Sequence, residues 1–151
     1  MYQCGQIYYI KNFKQGDNSL PKNRFCVVIT ILDVSYAVII HKVTSKPHCD
    51  SKILKPRGNT VDENKDIFFF PRNEIIGKNG FNFVIDSYIH MGVWNISQFS
   101  IEAFSNFDKQ FIDDMLDDWL IDLIYFIYKS NHIKKKFIDI LEPVLEKLNT
   151  G

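Results

Sequence analysis

The sequence predicts a mainly β protein, a small antiparallel barrel that is followed by two C-terminal helices. Three observations support this prediction: short β-branched and aromatic runs separated by turn-forming residues, no helical periodicity before residue 100, and three-to-four spacing of apolar residues after it. At 151 residues the chain has room for one core. We therefore expect the barrel in residues 1–104 and a helical extension in residues 105–151, packed on the barrel or at a dimer interface.

The first three strands form a predicted meander. The run QIYYIKNF covers residues 6–13, RFCVVITIL covers residues 24–32 and YAVIIHKV covers residues 36–43. Residues 33–35 are a connection short enough for a hairpin turn. Continuous apolar runs such as CVVITIL are typical of strands that are buried on both faces, as in a sheet that curls into a barrel.

A long polar segment, residues 44–66, follows the meander, and a loop of this length in a compact domain is usually functional or disordered. Further strands are predicted at residues 67–71 and 81–86, with an Asn-Gly turn dipeptide between them. A final strand is predicted at residues 92–99. Short strands with turn residues between them and no helix indicate a small antiparallel barrel.

Helical spacing begins after Ser100. In residues 107–130 the apolar side chains recur every three to four positions, and four aspartates lie near the predicted helix start, where negative charge suits the helix dipole. A second helix is predicted at residues 133–148, with Pro143 as an expected kink. The apolar face of the first helix is wide, which is typical of a helix that is buried or forms half of an interface.

Composition narrows the function classes. The formal net charge is zero, which argues against a protein that coats nucleic acid by bulk charge but leaves room for a local basic groove. The three cysteines, Cys4, Cys26 and Cys49, match no zinc-ligand spacing and are too few for a disulfide framework. No export signal and no membrane-spanning apolar run is evident. We expect a cytoplasmic protein with free thiols, no metal, no cofactor and no membrane partner.

Polar residues at predicted strand ends are the candidates for chemistry, because the sequence has no glycine-rich phosphate loop, no Gly-x-Ser-x-Gly and no His-Glu-x-x-His. Arg24 opens the second strand. Thr44 and Ser45 follow the third strand. Asp86 ends the fifth predicted strand, and His90 comes four residues later. In a curled meander these positions converge on one rim.

Such a convergence suits cleavage of an RNA phosphodiester. This reaction needs a base for the 2′-hydroxyl proton, an acid for the leaving 5′-oxygen, and donors for the extra phosphoryl charge. Asp86 or His90 is the candidate acid or base. Arg24 is the candidate for bidentate contacts to phosphoryl oxygens, and Thr44 and Ser45 are candidates to hold phosphate oxygens. An acid at a strand end also commonly caps a turn, which is the alternative role for Asp86.

Three segments in order resemble the PemK/MazF-like toxins: GQIYY at residues 5–9, RFCVVI at residues 24–29 and VTSK at residues 43–46. That family shows a G-D-[IV]-[YW] start, an R-P-[AV]-[LV]-V-[IL] strand and a P-[IV]-T-S strand end at similar intervals. The resemblance covers residues 5–104. It implies an SH3-like barrel and a metal-independent endoribonuclease of a toxin–antitoxin system, which cleaves single-stranded RNA, forms a homodimer and is neutralised by an antitoxin peptide.

The resemblance also implies roles for residues of this chain. The implied catalytic residues are Arg24, Thr44, Asp86 and His90, and the implied substrate-binding residues are Ser45, Lys46 and Tyr88. The sequence departs from the family where Gln6 replaces an aspartate, where Phe25 replaces a proline, and where no arginine stands three residues after the acid at position 86. His90 and Tyr88 are the evident substitutes for this arginine.

Two other functions stay open. One is a non-catalytic PemK/MazF-like barrel that binds a protein or a nucleic acid, which the absent arginine favours. The other is an adaptor whose helical tail is the functional surface. The presence of Arg24, Thr44, Ser45 and Asp86 favours the nuclease.

Overall fold

The computed structural model describes residues 2–14, 20–32, 36–40, 43–45, 54–58, 66–90, 96–130 and 135–150. This part of the chain contains eight strands and three helices. The strands are β1 (Gln6–Phe13), β2 (Lys22–Leu32), β3 (Tyr36–Ile40), β4 (Val43–Thr44), β5 (Ile67–Phe70), β6 (Ser87–His90), β7 (Ile96–Ser100) and β8 (Lys109–Asp114). The helices are α1 (Ile101–Ser105), α2 (Asp117–Lys129) and α3 (Lys135–Thr150). The protein is therefore mainly β, with two helices at the C-terminal end.

The strands form two antiparallel sheets. One sheet has five strands in the order β7-β3-β2-β1-β8, and the other has three strands in the order β4-β6-β5. β3 and β4 belong to different sheets although only two residues separate Ile40 from Val43, so the chain passes between the sheets at this point. Among the described residues the two sheets are not closed into one another.

The main core lies between the two sheets and the C-terminal helices. Its buried residues come from both sheets, α2 and α3, and include Ile7, Val27, Ile29, Phe68, Ile89, Trp119, Leu123, Phe137 and Leu141. The ring of Trp119 lies 6.0 Å from that of Phe68 and 5.5 Å from that of Phe70, measured between ring centroids. Because α2 places its tryptophan against β5, this helix completes the core rather than standing apart from the sheets.

A second, smaller core covers the other face of the five-stranded sheet. It contains Cys26 and Val28 of β2 together with Phe104 of α1. The intervening residues of β2, Val27 and Ile29, face the main core. β2 is therefore buried on both faces, which confirms the prediction from its continuous apolar run.

The N-terminal meander agrees with the sequence prediction. β1 has the predicted bounds, β2 begins two residues earlier than predicted, and β3 begins at Tyr36 opposite Leu32. The predicted turn at residues 33–35 lies outside the described residues. The predicted third strand corresponds to β3 in one sheet and β4 in the other, and residues 41 and 42 lie outside the described residues.

Two predictions for the second half are wrong. Residues 81–86 form a loop, and the strand begins only at Ser87. Residues 109–114 form the strand β8 instead of the first turns of a helix, and α2 begins at Asp117. β8 pairs with β1, with Phe111 opposite Tyr8, and this pairing uses the backbone groups that a helix would have used internally.

The C-terminal helices otherwise occur where the apolar spacing predicts them. Asp117 and Asp118 lie in the first turn of α2, as expected from the helix dipole. α3 contains Pro143 within its span. The final predicted strand is present as β7, and the short helix α1 that follows it was not predicted.

Two further expectations concern membrane-spanning helices and the state of the cysteines. No helix in the described ranges is long and apolar enough to cross a membrane. Cys4 and Cys26 are free thiols. Burial raises the pKa of Cys4 to about 11 and that of Cys26 to about 12, so neither thiol is ionised at neutral pH.

Candidate functional site

A cavity of about 610 Å³ opens where the start of β2, the end of β4 and the loop before β6 meet. Besides two asparagines and three aliphatic residues, its lining comprises three groups. The cations are Lys22 and Arg24, the hydroxyls are Thr44, Ser45 and Ser87, and the aromatic rings are Phe25, Phe81 and Phe83. None of the described residues that line the cavity is acidic. The combination of cations, hydroxyl groups and rings is suited to an anionic ligand with a flat apolar part.

Arg24 is half-buried in β2, opposite Ile10 of β1. It forms no salt bridge with any residue in the described ranges. Lys22, at the beginning of the same strand, is exposed and likewise has no carboxylate partner there. Because no acid of the lining neutralises these two groups, they give the cavity a local positive charge in a chain whose net charge is zero.

Thr44 and Ser45 reach the cavity from the second sheet. β4 pairs with β6, with Thr44 opposite Tyr88, so the end of β4 lies beside the beginning of β6. There the hydroxyl of Ser87 donates a hydrogen bond to the carbonyl oxygen of Ile85 over 2.9 Å. The structure thus brings Arg24, Thr44 and Ser45 to one cavity, which is the arrangement proposed for them from the sequence.

Asp86 has a different position. It does not line the cavity, although its neighbours Ile85 and Ser87 do. The backbone N–H of Arg72 donates a hydrogen bond to Asp86 Oδ1 over 2.9 Å. This contact joins the loop before β6 to the turn after β5, which is the capping role that acids often have at turns.

The remaining predicted site residues lie away from the cavity lining or outside the described residues. Tyr88 is buried, and its ring stacks on that of Phe69 at 5.1 Å between centroids, which is a packing contact. His90 is half-buried at the end of β6, opposite Ile67, and is not part of the lining. Lys46 lies outside the described residues.

An aromatic wall on one side of the cavity was not predicted. The ring centroid of Phe25 lies 5.7 Å from that of Phe81 and 5.1 Å from that of Phe83, and the last two are 5.1 Å apart. Phe83 is buried, whereas Phe25 and Phe81 are half-buried. The signal available in the sequence was Phe25, which stands where the PemK/MazF-like pattern has a proline.

Asp113 holds the loop that carries Phe81. Its side chain is 1% exposed and accepts hydrogen bonds from the Phe81 N–H at 3.1 Å, the Asp114 N–H at 2.7 Å and the Asn79 side-chain amide at 3.0 Å. The Asn79 backbone N–H donates to both carboxylate oxygens, at 3.1 and 3.0 Å. The prediction that Asp113 lies near the start of a helix is therefore wrong, because this residue is buried in β8.

The negative charge of Asp113 is stabilised at its buried position. Burial alone raises the pKa of this carboxyl, but the hydrogen bonds from Phe81, Asp114 and Asn79 outweigh it and hold the pKa below the usual aspartate value. Gly77 leaves the space that the carboxylate occupies, because a Cβ at this position would collide with Asp113 and with Phe81. The turn, the glycine and the aspartate thus form one unit.

Within the described ranges, no group of three or more His, Cys, Asp or Glu side chains is placed to hold a metal ion. Comparison with known proteins identifies no relative of the chain: no family model matches it, and no curated protein and no solved structure shows a significant match. The resemblance to the PemK/MazF-like toxins rests on the three short segments at residues 5–9, 24–29 and 43–46. The fold and the cavity define a mainly β protein with a cavity whose lining includes basic and aromatic residues.

Proposed function

We propose that the protein is a PemK/MazF-like endoribonuclease that takes single-stranded RNA into the Arg24 cavity and cleaves it there. One observation carries the proposal: Arg24, Thr44 and Ser45 line one cavity although they come from two different sheets. These are three of the seven residues that the resemblance assigns to catalysis and to substrate binding.

The character of the lining supports binding of a single strand. Lys22 and Arg24 face no acid within the lining, so they are available for phosphate groups. The half-buried rings of Phe25 and Phe81 offer faces on which unpaired bases can stack. Base stacking of this kind needs unpaired nucleotides, because the bases of a duplex already stack on one another. The proposed ligand is therefore single-stranded.

The lining also supports part of the chemistry. The Arg24 guanidinium is suited to bidentate hydrogen bonds with phosphoryl oxygens, and it would stabilise the charge that develops there. The Thr44 and Ser45 hydroxyls would hold the remaining oxygens. We assign proton transfer to Asp86 and His90. Since neither lines the cavity, this assignment requires both side chains to approach the phosphate when RNA binds, and Asp86 to leave the Arg72 amide, in line with catalytic contacts that form only with substrate bound.

We also propose that the two sheets are the two parts of an SH3-like barrel. The main core is shared between them, and the chain crosses from β3 in one sheet to β4 in the other within two residues. A homodimer, an antitoxin protein as partner and a cytoplasmic location belong to the same proposal, and the resemblance supports them.

A second candidate function is binding of RNA without cleavage. The observation in its favour is that Asp86 and His90 are both missing from the cavity lining, so no described carboxylate or imidazole faces the proposed phosphate site. This function keeps the roles of Arg24 and the aromatic wall and removes the proton-transfer step.

The test is an assay of purified protein with single-stranded RNA of mixed sequence, read for products with cyclic-phosphate ends. Arg24→Ala should lower the cleavage rate by on the order of 100-fold or more, because one donor to the developing charge is lost. Lys11→Ala is the control, because this exposed cation of β1 is not part of the lining. Cleavage should persist in EDTA, as in the metal-independent family.

The outcomes separate the candidates. Binding without cleavage by the folded protein would establish the non-catalytic function. Cleavage that Arg24→Ala leaves unchanged would show that the site lies elsewhere. If His90 transfers a proton, His90→Ala should lower the rate and change its dependence on pH. Absence of both binding and cleavage would overturn the proposal.

A further inference from the structure

We propose that Phe81, together with Phe25, forms a stacking subsite for one unpaired base of the bound RNA, and that Asp113 is the positioning residue that holds this subsite beside Arg24. The inference rests on the proposed function, because it requires RNA in the cavity. It adds to that function a subsite for the base and a role for a residue that does not touch the ligand.

The two rings have the placement that stacking requires. Phe25 and Phe81 both line the cavity and are half-buried, with an angle of 43° between their planes. Phe83 is buried behind them and contacts both rings. A ring that is supported from behind and open in front loses little freedom when a base stacks on it. The wall therefore offers a preformed apolar face.

The rings also lie next to the phosphate-binding group. Arg24 and Phe25 are consecutive residues of β2, and both line the cavity. The two side chains leave β2 on opposite faces, because Arg24 lies opposite Ile10 of the second core whereas Phe25 packs against the main core. A nucleotide needs a cation for its phosphate and an apolar face for its base, and the cavity at this end of β2 is lined by one of each.

The backbone that carries the Phe81 ring is held by hydrogen bonds on both of its peptide groups. Its N–H donates to Asp113 Oδ2 at 3.1 Å. Its carbonyl oxygen accepts from the N–H groups of Ile76 at 2.8 Å and Gly77 at 3.1 Å. These bonds fix the point from which the side chain starts, and the contacts with Phe25 and Phe83 restrict the ring itself.

Asp113 acts only through this loop. Its carboxylate is 1% exposed and already accepts hydrogen bonds from Asn79, Phe81 and Asp114, so it contacts no ligand in the cavity. Asp113 lies in β8, which is distant in sequence from the residues that line the cavity, and it supports the Phe81 loop through these hydrogen bonds. For these reasons Asp113 is a positioning residue.

The experiment compares two short single-stranded RNA oligomers, both made non-cleavable by 2′-O-methylation. One carries its bases and the other is abasic. The wild-type protein should bind the base-containing oligomer roughly 5- to 150-fold more tightly, the range expected for stacking of one base. Phe81→Ala should remove most of this preference and leave the salt dependence of binding unchanged. Phe111→Ala, at an exposed aromatic residue outside the lining, should leave the preference intact.

Arg24→Ala should give the opposite pattern. It should weaken both oligomers to a similar degree and reduce the slope of log affinity against log salt by about 1, because one phosphate contact is lost. If neither oligomer binds the wild-type protein, the proposed function fails. If both bind and the base preference is absent, or persists in Phe81→Ala, the RNA function survives and the stacking subsite is wrong. If Phe81→Ala does not fold, Phe81→Leu removes the flat ring at similar volume and decides the question.

Asp113→Asn tests the positioning role. A purely structural role would lower the melting temperature and leave the base preference of the folded protein unchanged. Positioning of Phe81 predicts a loss of that preference in the folded variant, at temperatures well below its melting point. Asn79→Ala, which removes only the side-chain hydrogen bond to Asp113, is the milder variant and should reduce the preference in the same direction. An unchanged preference in a folded Asp113→Asn or Asn79→Ala protein would overturn the role of Asp113.

Discussion

Arg24 and Arg57 are two half-buried arginines in very different surroundings. The Arg57 guanidinium carbon lies 4.0 Å from the centre of the Trp119 ring, and its nitrogens lie 2.8 Å from Asp118 and 3.8 Å from Glu74. Its side chain thereby joins residues 54–58 to α2. Arg24 lines the cavity and has no salt bridge with a described residue. Arg57 therefore connects parts of the fold, whereas Arg24 is available to a ligand.

The comparison extends to the acids. The Arg57 guanidinium lowers the pKa of Asp118, and the hydrogen bonds at Asp113 hold its pKa low against the effect of burial. In both cases other groups of the protein stabilise the negative charge of the aspartate. The cavity lining, by contrast, contains Lys22 and Arg24 and no acid among its described residues. This difference is the reason for placing the proposed RNA site at Arg24 and not at Arg57.

The largest expected effect on stability is at Asp113. Asp113→Ala should lower the free energy of unfolding by about 3 kcal/mol or more, because the amides of Asn79, Phe81 and Asp114 lose a buried, charged acceptor. Urea denaturation followed by circular dichroism measures this change. Asp114→Ala is the matched control at the next position and should change stability by less than about 0.5 kcal/mol. Equal effects of the two substitutions would mean that the fold does not depend on the Asp113 charge.

The second effect is a pH dependence. Because the pKa of Asp113 is lowered in the folded state, its charge adds stability above the unfolded value of about 3.9, and this contribution is lost as the pH falls through the lower folded pKa. The difference in unfolding free energy between wild type and Asp113→Asn should therefore be constant near neutral pH and shrink below about pH 4. Denaturation curves at several pH values measure it. A difference that stays constant into the acid range would contradict the stabilised charge.

The smallest expected effects distinguish the two arginines. Arg57→Ala should lower the unfolding free energy by about 1–2 kcal/mol, since the Trp119 contact contributes about 0.5–1 kcal/mol and each exposed ion pair less than about 1 kcal/mol. It should leave RNA affinity unchanged. Arg24→Ala should change stability by less than about 0.5 kcal/mol and weaken RNA binding. Thermal melts and binding titrations of the two variants measure both quantities. A stability loss at Arg24 equal to that at Arg57 would remove the distinction between them.

The N-terminal meander was predictable because its signals are local. The bounds of β1 follow from one β-branched and aromatic run, and the burial of β2 on both faces follows from its unbroken apolar sequence. β8 was not predictable in this way. The apolar residues around Phe111 fit a helix as well as a strand, and the pairing with β1 decides between them. That pairing joins positions about a hundred residues apart, and the spacing of apolar residues along the sequence contains no information about contacts over that distance.

The candidate site was predictable to a similar extent. Arg24, Thr44 and Ser45 were recognisable because strand ends and a short resemblance mark them, and the structure places them on one cavity. The capping role of Asp86 was foreseen as the alternative to catalysis, but its partner was not, since the Arg72 amide is fourteen residues away along the chain. The burial of Tyr88 against Phe69 was likewise not predictable, because it depends on how β5 and β6 pair.

The sequence by itself determined the extended segments of the N-terminal meander and of β5, the approximate positions of α2 and α3, and the Asn-Gly turn at residues 79 and 80. Apolar spacing and turn chemistry determine these features because they act between near neighbours. Only the tertiary structure decided that Asp113 is buried and that Phe81 faces a cavity beside Arg24. These properties depend on which distant donors surround a carboxylate and which side of a ring remains open. Such conditions exist only once the sheets have paired and packed.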